Sequence, residues 1–160
     1  MQKQTLDNLI LNGEDYIYQG NTLINGTIEI INANLIISGN LTIYGNVNIK
    51  NGSIIVSGLL TVAYDANISI NGGDISCGSL DCNHINITDG DIWVNGRLNA
   101  INITSDGNIE VGLYSNVSYI NCLNYLINGD NDSYTIKAIQ DIYILGYNDS
   151  YDLTAREILV

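Results

Sequence analysis

The sequence has no proline and no phenylalanine, and it has only one histidine, one tryptophan and five lysine and arginine residues among 160. Good helix formers are also scarce, whereas 28 isoleucines, 24 asparagines and 16 glycines dominate the chain. β-Branched residues favour strands, and asparagine and glycine favour tight turns. The composition therefore predicts short strands broken by turns, in a single domain large enough for one core.

Basic residues are outnumbered by 17 aspartates and glutamates, which gives a formal net charge of −12. Nucleic acids and anionic membranes both present phosphate, which such a protein repels. The acidic excess is larger in residues 81–160, with 11 acidic and three basic residues, than in residues 1–80, with six and two. We therefore expect no direct binding to nucleic acid or to membrane, and a protein partner with a basic surface.

Long hydrophobic runs are absent as well. No window of 18 apolar residues could form a membrane-spanning helix, and residues 1–20 lack the continuous apolar stretch of a signal peptide. The cysteines, Cys77, Cys82 and Cys122, are odd in number, which is typical of reduced buried thiols rather than of a disulfide framework. These features predict a cytoplasmic protein.

Apolar residues recur in pairs two positions apart, and this spacing places both members of a pair on one face of a strand. The clearest pairs are Ile28/Ile30, Leu35/Ile37, Leu41/Ile43, Val47/Ile49, Ile54/Val56, Leu60/Val62, Ile68/Ile70, Ile75/Cys77, Leu80/Cys82, Ile85/Ile87 and Ile92/Val94. Glycine or asparagine fills the gaps between pairs, and we expect positive φ angles at these corners. The corner residues are Gly20, Gly26, Asn32, Gly39, Gly45, Gly52 and Gly58.

A longer repeat indicates how the strands are arranged. The tetrapeptide Asn131–Tyr134 recurs 17 residues later at Asn148–Tyr151, and earlier pairs return after about 19 residues. Winding the strands around one axis buries every apolar pair. The predicted fold is an all-β, single-stranded, three-sided β-solenoid, or parallel β-helix, with 17–19 residues per coil and roughly eight coils in residues 21–160. Residues 1–20 are predicted to form an N-terminal cap or first partial coil, with Leu6, Leu9 and Leu11 over the opening.

The repeated strands with Gly and Asn corners resemble the bactofilin family, bacterial proteins whose solenoids stack end to end into filaments. More loosely, residues 74–85 are similar to the pentapeptide-repeat proteins, because their central apolar residues fall five apart. Gly73 and Gly78 occupy the small-residue positions of that repeat, and Asn83 departs from it. Some pentapeptide-repeat proteins are acidic rods that imitate duplex DNA. That similarity implies an alternative function, inhibition of a nucleic-acid-binding enzyme by a phage-type anti-defence protein or a topoisomerase inhibitor.

Residue patterns typical of catalysis are absent from the sequence. The single histidine, His84, precedes the inward-facing Ile85, so we expect its side chain to point outward. Cys77 and Cys82 lie nearby at inward positions, which favours buried thiols over a zinc site. The segment 130–134 has the alternating oxygens that begin a calcium loop but lacks the following glycine and glutamate, so a solvated corner is favoured. We expect no catalytic, cofactor or metal site, and therefore no enzyme.

Tyrosines and aspartates cluster near the C-terminus and recur at the coil period. The 17-residue repeat should stack Tyr134 with Tyr151, and Asp132 with Asp149, in columns on one corner. Outward tyrosines beside aspartates are typical of protein interfaces, whereas inward ones would only fill corners and core edges. The candidate partner-binding residues are Asp130, Asp132, Tyr134, Asp149, Tyr151 and Asp152.

The sequence ends with Ile158, Leu159 and Val160, which continue the repeat without a polar cap. An unpaired coil leaves backbone donors and acceptors open to another strand edge. We therefore expect either a homodimer or an end-to-end oligomer through this coil, or a longer array of which this sequence is a part. The favoured function is a non-catalytic, acidic protein-interaction or self-assembling structural module.

Overall fold

The computed structural model describes residues 3–160. Along most of this range inward aliphatic residues alternate with outward residues, which are mostly polar, and this alternation favours short strands. That range contains no helix. The strands, in chain order, are β1 (Lys3–Leu6), β2 (Leu9–Asn12), β3 (Tyr16–Tyr18), β4 (Asn21–Ile24), β5 (Ile28–Ile31), β6 (Leu35–Ile37), β7 (Leu41–Ile43), β8 (Val47–Lys50), β9 (Ile54–Val62), β10 (Asn67–Asn71), β11 (Ile75–Asp81), β12 (His84–Thr88), β13 (Ile92–Val94), β14 (Arg97–Ser105), β15 (Asn108–Val111), β16 (Tyr114–Cys122), β17 (Asn124–Ile127), β18 (Asp130–Asn131), β19 (Thr135–Ala138), β20 (Asp141–Ile144), β21 (Asp152–Thr154) and β22 (Glu157–Leu159).

Every strand pairs in parallel with the equivalent strand of an adjacent coil, so the chain forms a β-solenoid of about nine turns. The predicted fold class is confirmed. Face 1 runs through β1, β4, β7, the second halves of β9 and β11, the first halves of β14 and β16, and β18. Face 2 runs through β2, β5, β8, β10, β12, the second halves of β14 and β16, β19 and β21. Face 3 runs through β3, β6, the first halves of β9 and β11, β13, β15, β17, β20 and β22.

The coil length varies more than the sequence repeat indicates. The offset between paired residues is 16 where Tyr114 pairs with Asp130 and 21 where Val47 pairs with Ile68. The longest coil contains a turn in which the N–H of Ala66 donates to the carbonyl of Ala63 at 3.0 Å. This turn takes up the additional residues, so the strands on either side keep their inward and outward faces.

Residues 3–18 form the first coil. Its strands β1, β2 and β3 pair with β4, β5 and β6 of the next coil. Leu9 is buried, and Leu6 and Leu11 are partly buried against the same core, so these leucines line the coil and do not fold over it. Eight further coils follow from Asn21 onward.

One aliphatic core extends along the whole solenoid axis, and every apolar pair predicted from the sequence is buried in it. Burying an isoleucine or leucine side chain stabilises the fold by about 1.5–3 kcal/mol. Each coil contributes up to three such pairs, one from each face. The core therefore grows with coil number, and no coil could bury its pairs without its neighbours.

The glycine corners have a different cause from the one expected. Positive φ angles occur at Gly20 and Asn32, as expected, but Gly26, Gly39, Gly45, Gly52 and Gly58 do not have them. At Gly52, a Cβ atom would lie 1.9 Å from the carbonyl oxygen of Ala33 in the preceding coil. Glycine is required at these corners because successive coils approach too closely for any side chain.

Asparagine side chains continue the hydrogen-bond ladder around the corners. The Oδ1 atom of Asn21 accepts the N–H of Asn40 at 3.0 Å, and the Oδ1 atom of Asn40 accepts the N–H of Leu59 at 2.9 Å. Each bond satisfies a backbone donor where the strand ladder is interrupted. The high asparagine content is therefore explained in part by the corners.

Candidate functional site

The six candidate partner-binding residues surround one corner at the C-terminal end of the solenoid, and we call this surface the carboxy-terminal acidic patch. Asp130, Asp132 and Asp149 lie on the outside of face 1, and Asp152 begins β21 on face 2. Tyr134 and Tyr151 lie at the corner between these two faces. All six residues are exposed.

Alternation along the chain explains why the carboxylates point outward. Asn131 and Ser133 are buried and face the interior, so Asp130 and Asp132 on either side of Asn131 face solvent. The expectation of a solvated corner at 130–134 is therefore wrong for Asn131 and Ser133, which belong to the core, and holds for the other three side chains. Asn131 forms a parallel bridge with Asn148, which places Asp149 in the layer next to Asp132.

The two tyrosines form a stacked pair. The ring centroids of Tyr134 and Tyr151 are 5.0 Å apart, and the ring planes differ by 2°. Both rings remain exposed, at 59% for Tyr134 and 79% for Tyr151. The pair therefore presents a flat aromatic surface beside the carboxylates.

Two further tyrosines, which the sequence repeat did not predict, belong to this surface. Tyr114 and Tyr147 line a depression of about 190 Å³ together with Asp130, Asp132 and Asp149. The Tyr114 hydroxyl donates to Oδ2 of Asp132 at 3.1 Å. Desolvation, reinforced by this hydrogen bond, raises the pKa of Tyr114 above its ordinary value. Tyr114, Asp130 and Tyr147 follow one another at intervals of one coil. This interval in the sequence could have identified the two tyrosines as part of the surface.

A larger depression, of about 470 Å³, lies on face 1 nearer the middle of the solenoid. Its wall includes Leu59, Asp81, Arg97, Asn99 and Tyr114. The Arg97 guanidinium lies over the Tyr114 ring, 5.9 Å from its centroid. Tyr114 thus separates a mixed polar surface around Arg97 from the carboxy-terminal acidic patch.

The carboxylates of the patch are not neutralised within the described part of the chain. Between Lys3 and Val160 the one ion pair joins Arg156 to Asp141 at 3.1 Å, on face 3. The Nζ atom of Lys137 lies 5.8 Å from the Tyr119 ring centroid on face 2. The negative charge of Asp132 and Asp149 is therefore available to a binding partner.

A buried hydrogen-bond network supports the patch from inside. The hydroxyl of Tyr125, a fully buried residue, donates to Oδ1 of Asn131 at 3.0 Å, and Nδ2 of Asn131 donates to Oδ1 of Asn148 at 2.8 Å. Ser115 and Ser133 share a hydroxyl hydrogen bond of 3.0 Å. Because every one of these residues has a partner, the backbone that carries the aspartates is held in one position.

The cysteines and the histidine are arranged as expected from their positions in the repeat. Cys77, Cys82 and Cys122 are free and buried, and desolvation raises the pKa of each thiol to about 12. His84 is exposed and lies beside Asn102. Residues 3–160 contain no group of three or more His, Cys, Asp or Glu side chains able to hold a metal ion.

The last coil exposes apolar side chains. Ile158, Leu159 and Val160 are 42%, 52% and 63% exposed. Within the described chain, β22 pairs only with β20, and β21 pairs only with β19. One edge of each strand is therefore open.

The chain was compared with models of protein families, with curated proteins and with solved structures, and nothing matched. Because residues 3–160 contain no helix, none in this range could cross a membrane.

Proposed function

We propose that the chain is a non-catalytic interaction module of the cytoplasm, in which the carboxy-terminal acidic patch binds a basic surface on a protein partner. The main support is the grouping of four carboxylates and two stacked tyrosines on one corner, without a neutralising cation in the described chain. Tyrosine supplies contact area at low entropic cost, and the carboxylates attract a basic surface over long range. The rigid network below limits the entropy lost on binding.

The test compares two variants of equal charge. Asp132→Asn with Asp149→Asn removes two negative charges from the patch, and Glu14→Gln with Asp65→Asn removes two exposed negative charges elsewhere. Partners are captured from a bacterial lysate at low salt, and the patch variant should lose a protein that wild type and the control variant retain. Salt of about 0.5 M should release that protein. Equal retention by both variants would show that binding depends on net charge and not on the patch.

As a second candidate, the patch imitates duplex nucleic acid and inhibits an enzyme that binds it. This proposal is supported by the carboxylates of Asp132 and Asp149, which repeat outward in successive coils about 4.8 Å apart. A captured partner that binds duplex DNA, and that DNA displaces from the chain, would favour this candidate. A captured partner with no affinity for nucleic acid would exclude it.

We also propose that the open edges of β21 and β22 pair with a second copy of the chain, which makes the module self-assembling. The exposed Ile158 and Val160 side chains would be covered by the added coil. Ile158→Asp should abolish end-to-end association, which size-exclusion chromatography with light scattering measures as a loss of mass relative to wild type. Ile139→Asp, at an exposed corner position, is the matched control. End pairing is wrong if the Ile158→Asp variant assembles as wild type does.

A further inference from the structure

The outside of face 3 carries a continuous apolar column. Each strand on this face has an outward side chain at the same register position, so these side chains are aligned from coil to coil; the four-residue strands β15, β17 and β20 have a second outward residue, which is polar, at their start. Most of the aligned side chains are aliphatic or aromatic. The column is Ile17, Ile36, Ile55, Ser76, Trp93, Glu110, Leu126, Tyr143 and Leu159.

The equivalent column on face 2 is polar, so the apolar column does not follow from the composition of the chain. From the second coil onward, the face 2 column is Glu29, Asn48, Ser69, Asn86, Thr104, Asn121, Lys137 and Thr154. On face 3, Ile17, Ile55 and Trp93 are 66%, 41% and 38% exposed. Single exposed apolar residues are common, whereas a contiguous row marks an interaction surface.

The order of side chains along face 3 is symmetric about its centre. Around Trp93, a polar residue stands on each side, and three apolar residues follow it in both directions. A surface with this order is complementary to itself when it is turned end for end. Self-complementarity is what a two-fold interface between identical chains requires.

We propose that face 3 binds face 3 of a second copy, with the two solenoid axes antiparallel and the two-fold axis passing through Trp93. In this arrangement Ile55 of one copy lies opposite Leu126 of the other, and Ser76 lies opposite Glu110. The Ser76 hydroxyl can donate to the Glu110 carboxylate. The surface is separate from the carboxy-terminal acidic patch, so the proposal does not depend on the function proposed for the patch.

A parallel arrangement of the two copies is disfavoured by the one charge in the column. It would place Glu110 opposite Glu110 inside an apolar interface, which is repulsive. Trp93 has room at the interface in either arrangement, because Ser76 beside it is small. A depression of about 320 Å³ lies on the other side of Trp93, with Glu110 and Gly112 in its wall.

The size of the face predicts the strength of the dimer. Nine layers at about 4.8 Å and strands of about three residues give a flat area on the order of 400 Å² per copy. This is about half the area that each partner buries in a standard interface. We therefore expect a weak and reversible dimer.

The face 3 dimer and the binding of a partner at the carboxy-terminal acidic patch should depend on salt in opposite ways. Each copy has a net charge of −12, so two copies repel each other over long range. Raising the salt concentration from about 0.05 M to about 0.5 M should strengthen the face 3 dimer, because it screens this repulsion. The same change should weaken binding of a basic partner to the patch.

The experiment measures molecular mass from about 1 μM to about 1 mM by sedimentation equilibrium. Trp93 is the one tryptophan of the chain, so its fluorescence should shift to shorter wavelength as the dimer forms. Ile55→Lys should weaken the dimer about a hundredfold, because the introduced charge has no partner. Thr104→Lys, at the exposed middle of face 2, should leave dimerisation unchanged, and circular dichroism should show that both variants fold.

A second substitution tests the antiparallel geometry. Combining Ile55→Lys with Leu126→Glu places the introduced lysine of each copy opposite the introduced glutamate of the other, so dimerisation should return. Restored dimerisation would support the proposal even if either single variant lost stability. A monomer at every concentration, or equal loss in Thr104→Lys, would overturn the proposal. If only Ile158→Asp prevented association, end pairing would be supported and the face 3 dimer would be excluded.

Discussion

The middle coils and the last coils of this solenoid share one backbone geometry and differ in what fills the interior behind face 1. In the middle coils the inward pairs are Leu41/Ile43, Leu60/Val62 and Leu80/Cys82. In the last coils they are Ser115/Val117, Asn131/Ser133 and Asn148/Ser150. The first set is held by apolar burial, and the second is held largely by side-chain hydrogen bonds.

This difference shows that coil stacking and interior composition are separable. The backbone ladder and the glycine corners set the geometry, so a coil can replace a leucine by an asparagine provided that the amide finds partners. On face 1 the hydrogen-bonded replacements lie in the coils below the carboxy-terminal acidic patch, whereas Thr22, near the other end, takes the position of Leu41 without such partners. Hydrogen bonds fix direction more strictly than apolar contacts do, which suits a surface whose side chains must be presented in one arrangement.

The largest expected effect is the loss of an aliphatic side chain in the middle coils. Leu60 is fully buried in β9, and Leu60→Ala should lower the free energy of unfolding by about 3 kcal/mol, since it removes apolar burial and leaves a cavity. Urea denaturation measures the change. The neighbouring Leu59 points outward, so Leu59→Ala should change stability by less than about 0.5 kcal/mol. Similar losses from both variants would contradict the inward and outward assignment.

The second-largest effect is expected in the polar interior of the last coils. Tyr125→Phe keeps the ring but leaves Oδ1 of Asn131 without its donor, which should lower the free energy of unfolding by about 2 kcal/mol. Tyr134→Phe removes an exposed hydroxyl and should change stability by less than about 0.5 kcal/mol. In a double-mutant cycle, Tyr125→Phe and Asn131→Ala should be coupled by about 1 kcal/mol. Additive losses would mean that the hydrogen bond contributes nothing to stability.

The contrast between the aliphatic and the polar coils explains which structural features can be predicted from the sequence. The solenoid, its inward pairs and the outward position of His84 follow from a period of two within strands and a longer period between coils. The inward positions of Asn131 and Ser133 were missed, because a polar residue at a core position looks like a turn unless its buried partners are known. Tyr114 and Tyr147 were missed because coil lengths vary from 16 to 21, which obscures columns that cross several coils.

A pH titration tests whether the polar interior is as dry as the aliphatic one. Burial raises the pKa of Cys77 in the middle coils and of Cys122 in the last coils from 9.0 to about 12. The unfolded chain ionises first, so these thiols leave stability unaffected below about pH 9 and lower it as pH rises from about 9 towards about 12. The fall is about 1.4 kcal/mol per pH unit for each thiol.

Cys77→Ala and Cys122→Ala should therefore reduce this slope by equal amounts. Urea denaturation between about pH 8.5 and about pH 10.5, where the thiols of an unfolded chain ionise, measures the slope. A smaller reduction for Cys122→Ala would mean that water reaches the interior of the last coils. In that case the network around Asn131 would be hydrated, and the contrast between the two regions would lie in solvent access.

The smallest expected effect concerns Thr22, a buried polar residue near the other end of the solenoid. Its Oγ1 atom has no hydrogen-bond partner within residues 3–160, unlike the hydroxyls of Ser115 and Ser133 at equivalent inward positions of face 1. Thr22→Val removes the unpaired hydroxyl and nearly keeps the side-chain shape, so it should raise the free energy of unfolding by about 1 kcal/mol. Thr104→Val, at an exposed site, is the control and should have little effect. A loss of stability in Thr22→Val would mean that the hydroxyl is satisfied, and that polar interior positions are paired at both ends of the solenoid.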